Sequence, residues 1–291
     1  MTITEAAPAK INLALHVRAR RADGYHDIET LFAFLRDGDR VTVEEADRDG
    51  FALTGPFAEA LAGEDSNLVL AARDAFAAAY GPLPALSITL DKQLPVASGI
   101  GGGSADAAAT LRALARLKRI DPAALADIAL ELGSDVPACL LGKSAMGAGR
   151  GERLQPVEGL SGMPVLLVNP GVAVSTPAVF RGWDGFDRGP LFTRHPGPVP
   201  GSTVPQTPNA EWLAVATGGR NDLEAPASAM TPVIGTVIDL LAAQPGVSLS
   251  RMSGSGATCF ALFDSEAACT AAARAIRATR PDWWCLESTL A

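Results

Sequence analysis

The sequence is poor in the residues that build disulfides and metal sites. Only four cysteines and three histidines occur among its 291 residues. The cysteines form no CxxC pair, and the histidines are scattered along the chain: Cys139, Cys259, Cys269, Cys285, His16, His26 and His195. Structural zinc sites and disulfide frameworks use closely spaced or paired side chains of these types, so we expect neither in this protein.

Positive charge and long hydrophobic runs are also scarce. Asp and Glu number 32 against 24 Lys and Arg, which gives a formal net charge of -8. This acidic balance argues against nonspecific binding to nucleic acid or to an anionic membrane. No apolar run approaches the roughly 18 residues of a membrane span, and the first residues, with Glu5 and Pro8, do not resemble a targeting leader. We therefore expect a soluble, cytoplasmic protein, in which an anionic ligand needs a locally built site.

Helical and strand-like patterns are both well represented, and they are interleaved. Apolar and β-branched segments predict strands at 10–17, 40–44, 85–90 and 164–168. Apolar residues at helical spacing predict helices at 69–80, 105–117, 122–132, 233–243 and 266–278. Several strands come close together before the first clear helix, which favours a mixed α+β fold over a strictly alternating parallel sheet.

The length is compatible with two domains, because a common domain has about 150 residues. The pattern of helices and strands is interrupted at 155–163, where Pro156, Gly159 and Gly162 occur close together. We predict the domain join there, with an N-terminal domain at 1–155 and a C-terminal domain at 156–291.

A loop is predicted at 185–209, which contains six prolines and four glycines in 25 residues. This composition sustains neither a helix nor an inner strand. Two interpretations remain open at this point: a lid over a site, and a surface excursion without a role in activity.

The most informative stretch is 87–117, in which a predicted strand leads into a glycine-rich turn and then directly into a helix. The turn contains Gly99, Gly101, Gly102, Gly103 and Ser104. Glycines remove Cβ atoms and allow backbone N–H groups to converge on an anion, and the free N–H groups at a helix start add partial positive charge. The pattern is typical of a site that binds nucleotide phosphates.

The spacing of this turn excludes three better-known motifs. A P-loop needs GxxxxGK[ST], and the GKS at 142–144 has Pro137 where the first glycine belongs. A dinucleotide-binding turn needs GxGxxG, but Ser104 stands at its last position. A serine-hydrolase elbow needs a glycine where Asp106 stands. Tight packing remains the alternative for the glycines, and a favourable charge near the helix start is the alternative for Asp106.

Two further stretches carry polar groups on short strands and turns. PAKINLALHV at 8–17 presents a lysine and an asparagine two residues apart, and MSGSGATCFALF at 252–263 is a second Ser/Gly turn. With the glycine-rich loop between them, they resemble the three motifs of the GHMP small-molecule kinases in order and approximate separation. RADGYHDIETLF, LPVASGIGGGSADAAATL, LGSDVPACL and VSTPAVF extend the resemblance to the branch of that family that acts on a cytidine diphosphate-linked methylerythritol.

This resemblance implies a two-domain α+β GHMP-kinase-like fold with the active site in the cleft between the domains. It also implies an activity: transfer of the ATP γ-phosphoryl group to the 2-hydroxyl of the methylerythritol, in non-mevalonate isoprenoid synthesis. ATP is then the donor and Mg²⁺ is expected with it, although the sequence names no metal ligand. The expected partners are these small molecules, with no nucleic acid or membrane, and the expected state is a monomer or a homodimer.

The resemblance also implies roles for individual residues. Asp135 matches the acid beside the acceptor hydroxyl, and Lys10 matches its basic partner. The ATP-binding residues are Pro95, Val96, Ala97, Ser98, Gly99, Ile100, Gly101, Gly102, Gly103, Ser104 and Ala105, with support from Ser253 and Ser255. The substrate-binding residues are Asn12, Tyr25, His26, Thr176 and Phe180, of which Tyr25, His26 and Phe180 match a cytosine pocket.

Simpler interpretations of the catalytic pair are a helix cap at Asp135 and a solvated edge-strand lysine at Lys10. The sequence departs from the usual pattern of the family at Ala19, Ser98 and Ile100, and only Ser98 bears on ATP affinity. A homoserine or mevalonate kinase is a rival within the family, but it does not call for DGYH with Phe180. A non-catalytic binding protein and a decarboxylating relative are the remaining alternatives.

Overall fold

A computed structural model of the chain describes residues 1–62, 67–192 and 209–291. Its strands are β1 (Thr2–Arg20), β2 (His26–Glu45), β3 (Gly50–Thr54), β4 (Leu86–Asp91), β5 (Ala145–Gly149), β6 (Arg153–Pro156), β7 (Pro164–Asn169), β8 (Val247–Met252), β9 (Cys259–Phe263) and β10 (Trp284–Thr289). Its α-helices are α1 (Leu68–Tyr80), α2 (Gly102–Lys118), α3 (Ala126–Leu132), α4 (Val136–Leu141), α5 (Thr176–Gly182), α6 (Asn209–Gly218), α7 (Glu224–Met230), α8 (Val233–Ala242) and α9 (Glu266–Thr279). Within the described ranges, no helix is long and apolar enough to cross a membrane.

The mixed α+β fold is confirmed. Each described strand pair for which the register is resolved is antiparallel except β3 with β4. The predicted helices are present with two differences. The helix expected from residue 105 begins at Gly102, inside the glycine run. The helix expected at 122–132 begins as a 3₁₀ turn, because Pro122 follows a capping Asp121, and it becomes α-helical at Ala126.

The chain forms two compact units, each assembled from separated stretches. The first unit comprises Met1–Lys10, Asp37–Ala97 and Gly101–Gly142. In it, β4 lies between β3 and the C-terminal part of β2, and Leu86, Ile88 and Leu90 alternate into the core. Helix α2 packs against α1 and α4 and buries mostly alanines. These small side chains allow the helices to approach closely, which fixes α2 against α1 and α4.

The second unit comprises Ile11–Arg36, Ser98–Ile100 and Lys143–Ala291. The N-terminal part of β2 pairs with β5, and β5 pairs with β6. A separate four-stranded sheet has the order β10-β7-β9-β8, and every residue of β9 is buried. Apolar side chains of α8 and α9 complete this core, among them Ile234, Val237, Leu241, Ala273 and Ile276. The sheet and its helices support the Ser/Gly turn between β8 and β9.

Two expectations about chain organisation stay predictions. The division into domains at 1–155 and 156–291 concerns the linear sequence, whereas the compact units defined by internal contacts are discontinuous. The loop predicted at 185–209 lies largely outside the described residues. Its described part, 185–192, contains neither helix nor strand.

Candidate active site

Lys10 and Asp135, the two predicted catalytic residues, form a direct ion pair in the first unit. Lys10 Nζ lies 2.8 Å from Asp135 Oδ2. The Lys10 side chain is 3% exposed, whereas the Asp135 side chain is 36% exposed. Lys10 is therefore not a solvated edge-strand lysine. Asp135 precedes α4 but makes no side-chain capping hydrogen bond, so its carboxylate is held by the lysine and remains accessible to a ligand.

The glycine-rich loop lies against this pair. Gly101 has a left-handed backbone conformation, φ 67°, and a Cβ built on it would lie only 3.0 Å from Lys10 Cε. Glycine is needed here for both reasons, because other residues rarely adopt this φ and their Cβ would push the lysine away. Helix α2 begins immediately after Gly101, at Gly102, with Gly103 and Ser104 in its first turn. The N–H groups of that turn have no partner within the helix, and they come directly after Gly101, the glycine beside Lys10.

The centre of the loop belongs to the second unit and is anchored by the turn between β8 and β9. The Ser253 hydroxyl donates a 2.9 Å hydrogen bond to the Gly99 carbonyl oxygen. The Thr258 N–H donates to the Ser98 carbonyl oxygen at 3.1 Å. Ser98 is buried, as is Ile100. The second and third predicted motifs, far apart in sequence, are thus brought together.

Two of the predicted substrate-binding residues, Asn12 and Thr176, form hydrogen bonds with serines of that same turn. Asn12 also bonds to strand β2. The Asn12 N–H donates to Ser253 Oγ at 3.3 Å, and Asn12 Nδ2 donates to Thr30 Oγ1 at 2.8 Å. Thr176 Oγ1 and Ser255 Oγ lie 2.7 Å apart. Thr30 fixes the amide of Asn12, and its part in the site was not predicted from the sequence.

The predicted base pocket is built around His26. Its imidazole packs on Phe180 with ring centroids 4.9 Å apart, and Trp183 stands edge-on at 5.9 Å. Burial, with a smaller effect of Arg20, lowers the His26 pKa below its ordinary value, so the ring is neutral at pH 7. His26 Nε2 is buried and has no hydrogen-bond partner among the described residues. A polar ligand edge would satisfy this atom.

Tyr25 presents its ring at the surface beside this pocket. The residue is 48% exposed. The Arg150 guanidinium carbon lies 4.5 Å from the Tyr25 ring centroid. This distance is within the range of a cation–π contact, and the exposed part of the ring is accessible to a planar ligand. Neither Arg150 nor Trp183 was predicted, because a lone arginine or tryptophan outside a motif gives no positional signal in a sequence.

Three buried charged residues form an ion cluster at the base of the loop, and this cluster was not predicted. Lys92 Nζ lies 2.5 Å from Asp39 Oδ2 and 2.6 Å from Asp106 Oδ2. The suggestion that Asp106 is a favourable charge in the first helical turn is wrong, because α2 begins at Gly102 and has no acidic residue in its first turn. The Asp106 carboxylate bonds to Lys92 instead. The sequence signal was a lysine directly after an apolar strand and three residues before Pro95.

Comparison with known proteins identifies this arrangement. A model of the GHMP kinases N terminal domain matches residues 67–143, and a model of the GHMP kinases C terminal domain matches 208–282. A 4-diphosphocytidyl-2-C-methyl-D-erythritol kinase from Rhizorhabdus wittichii is 56% identical, over 99% of this chain and 94% of that protein. The chain belongs to this kinase family, within the GHMP kinases. A relative of the same name from Sphingopyxis alaskensis is 47% identical over 99% of both chains.

Solved structures agree that the chain is a GHMP kinase. The crystal structure of a 4-(cytidine 5'-diphospho)-2C-methyl-D-erythritol kinase has a TM-score of 0.73 and 36% identity, and the match covers 99% of both chains. A homoserine kinase from Cytophaga hutchinsonii has a TM-score of 0.70 at 17% identity. The second match establishes the fold alone. The first agrees with the predicted branch of the family, and the chain is an ATP-dependent kinase.

Proposed function

We propose that this kinase transfers the γ-phosphoryl group of ATP to the 2-hydroxyl of 4-diphosphocytidyl-2-C-methyl-D-erythritol, producing the 2-phosphate and ADP. The observation that carries the proposal is the buried Lys10, paired with Asp135 and in contact range of Gly101 in the glycine-rich loop. A general base, a cation and a phosphate-binding loop are the components that phosphoryl transfer to an alcohol requires.

Asp135 acts as the general base in this proposal. Its partly exposed carboxylate accepts the proton of the 2-hydroxyl as the hydroxyl oxygen attacks the γ-phosphorus. The bond between that phosphorus and the β,γ-bridging oxygen breaks, and ADP leaves with the electron pair. Lys10 holds the Asp135 carboxylate through their ion pair and offsets negative charge on the transferring group during the reaction.

Residues 95–105 hold the ATP phosphates through their backbone. Gly101 turns the chain so that the first turn of α2 follows at once, and its N–H groups are not used within the helix. Ser104, in that first turn, adds a hydroxyl. Ser253 supports the loop from the β8–β9 turn through its bond to Gly99.

The acceptor is recognised through its base and its polar chain. Tyr25 and Phe180 stack on the cytosine, and His26 Nε2 bonds to the polar edge of the base. The neutral imidazole suits this role because it can donate or accept according to its tautomer. Asn12 and Thr176 contact the diphosphate or alcohol part of the substrate.

Magnesium is proposed as a companion of ATP rather than as a resident of the protein. In the described part of the chain, no group of three or more His, Cys, Asp or Glu side chains is arranged to hold a metal ion. The side chains of the described residues therefore do not supply a magnesium cage. Magnesium bound with nucleotides is held largely by phosphate oxygens and water, and no step above is assigned to it.

An ADP-release assay with ATP and magnesium tests the function. The cytidyl substrate is compared with homoserine and mevalonate, for the wild type, for Asp135→Asn and for a matched control, Asp127→Asn, on the exposed side of α3. We expect turnover with the cytidyl substrate alone, loss of about a hundredfold or more in Asp135→Asn, and unchanged turnover in the control. Turnover on homoserine or mevalonate instead would refute the proposed acceptor.

A further inference from the structure

Lys92 connects the two ends of the glycine-rich loop beneath its surface. It directly follows β4, which ends at Asp91, and its Nζ bonds to Asp106 in the second turn of α2, beyond the loop. The same Nζ bonds to Asp39, at 2.5 Å. The three side chains are 2%, 0% and 3% exposed for Lys92, Asp39 and Asp106. They are therefore shielded from any ligand that the loop holds.

Asp39 fixes the chain on the entry side of the loop. Its second oxygen, Oδ1, accepts hydrogen bonds from the N–H groups of Gln93 and Leu94 at 2.6 and 2.8 Å. These are the last two residues before Pro95. One carboxylate thus holds both the lysine and the backbone that leads into the loop.

Gly102 fixes the exit side against the same lysine. A Cβ built on Gly102 would lie 3.1 Å from Lys92 Nζ and 3.6 Å from Asp39 Oδ2. The first residue of α2 therefore rests on the ion cluster, and the second turn is tied to it through Asp106. Movement of the lysine would move the helix start with it.

Burial of this ion cluster costs free energy, so stabilisation of the fold alone does not explain it well. Burial alone lowers the Lys92 pKa, and only the two carboxylates raise it above the ordinary value. Two carboxylates share one ammonium, and Asp106 Oδ1 is buried without a hydrogen-bond partner in the described residues. Replacement of buried ion clusters by apolar residues is often neutral or stabilising, and their best-attested use is to fix geometry.

We infer that Lys92 is a positioning residue, which holds β4 and the start of α2 at the spacing that the backbone N–H groups of the loop need to receive ATP phosphates. This inference rests on the proposed role of 95–105 in ATP binding and extends it to a cluster of buried side chains beneath the loop. On the α2 side, the hydrogen bond from Lys92 to Asp106 makes this connection. A substitution of Asp106 removes that bond without leaving a buried charge unpaired, because Lys92 remains paired with Asp39.

Two variants of Asp106 separate positioning from charge. Asp106→Asn and Asp106→Leu both remove the carboxylate charge and have similar volumes, but only asparagine keeps an oxygen that accepts from Lys92. The Kd for ATP, without acceptor, is measured by calorimetry, and the KM values for ATP and acceptor are measured separately. We expect Asp106→Leu to weaken ATP binding about tenfold, the loss expected for one charge-assisted hydrogen bond. The acceptor KM should stay within about twofold, as should both constants in Asp106→Asn.

The outcomes distinguish positioning from simple stabilisation. If Asp106→Leu lowers Tm but binds ATP as tightly as the wild type, Lys92 is structural and the inference is wrong. If Asp106→Asn weakens ATP binding as much as Asp106→Leu does, charge rather than the hydrogen-bonded link is responsible, which also contradicts it. Asp106→Ala offers a second measurement if Asp106→Leu does not fold, because it also leaves Lys92 paired with Asp39, and it should weaken ATP binding about as much.

Failure of the proposed function would look different. A wild-type chain that binds ATP but does not phosphorylate the cytidyl substrate would overturn the proposed acceptor and leave this inference to be decided by the Kd values for ATP. A wild-type chain that binds no ATP would overturn the assignment of the loop and, with it, the positioning role of Lys92.

Discussion

Lys10 Nζ and Asp135 Oδ2 lie 2.8 Å apart, and the lysine is buried while the carboxylate reaches solvent. This difference in exposure suits a pair in which Lys10 positions the carboxylate and Asp135 contacts the substrate. A surface ion pair of this length would contribute little to stability. The pair instead holds the Asp135 carboxylate in place where a ligand can still reach it.

Removal of either member of the pair should abolish most of the activity, and removal of both should cost no more than the worse single change. Lys10→Met and Asp135→Asn are each expected to lower kcat about a hundredfold or more, because they act on the same step. The double variant is compared in the ADP-release assay. Losses that multiply would show that the two residues act independently.

The stability of Lys10→Met provides the control for this cycle. Methionine has nearly the shape of the lysine stem and needs no buried charge, so the Tm should stay the same or rise. Asp135 is then unpaired but is exposed enough for water to solvate it. A large fall in Tm would mean that lost activity reflects unfolding rather than chemistry.

Gly101→Ala should damage the enzyme through both backbone strain and Lys10. The position has φ 67°, and the new Cβ would lie 3.0 Å from Lys10 Cε. We expect a loss of about 1 kcal/mol or more in unfolding free energy and a fall in kcat. Urea denaturation and the ADP-release assay measure the two effects.

Gly235→Ala is the matched control for that substitution. Gly235 lies inside α8, and a Cβ there meets no atom within 4 Å. Alanine should stabilise the helix by up to about 1 kcal/mol with unchanged activity. If both variants behave alike, Gly101 has no special place in the site.

Tyr25 should contribute its ring and not its hydroxyl to acceptor binding. Tyr25→Leu is expected to raise the acceptor KM about tenfold, since stacking of a base on an aromatic ring is worth about 1–3 kcal/mol. Tyr25→Phe keeps the ring and should keep the KM. The KM for ATP, measured in parallel, should change in neither variant, and an equal effect of both on the acceptor KM would contradict stacking.

The motif residues could be predicted from the sequence because their chemistry is local. The glycine run, the lysine of PAKINL and the acid of LGSDVPACL are recognisable one by one, and strand or helix periodicity set most element positions. The start of α2 was placed three residues late because glycines are poor helix formers. The helix nevertheless begins at Gly102, because Lys92 Nζ and Leu68 lie so close to Gly102 and Gly103 that a Cβ would come within 3.1 and 3.2 Å of them.

The ion cluster and the surroundings of His26 could not be predicted in the same way. Lys92 lies 53 positions from Asp39 and 14 from Asp106 in the sequence, and the three side chains meet only through the fold. Lysine and aspartate are usually exposed, so nothing in the sequence indicates that these three side chains are buried together. Trp183 and Arg150 likewise acquire a role from neighbours that are distant in sequence.

The buried cluster should make stability depend on pH through Asp106. Burial, reinforced by Asp39 and only partly opposed by Lys92, raises the Asp106 pKa from 3.8 to about 7. Between these values the folded state holds a proton that the unfolded state has lost, so this group stabilises the fold at low pH and the contribution is lost as pH rises towards 7. Asparagine does not titrate. The unfolding free energy of Asp106→Asn relative to wild type should therefore increase from pH 5 to pH 8.

Urea denaturation of both proteins at the two pH values measures this difference. The subtraction removes groups that both proteins share, including His16 and His26, whose lowered pKa values give the opposite trend, with stability falling as the pH drops below about 6.5. A difference that is the same at pH 5 and pH 8 would mean that Asp106 is ionised in the folded protein throughout this range. Both carboxylates would then be charged in the folded protein. The attraction of the Lys92 ammonium would in that case outweigh the effect of burial on Asp106.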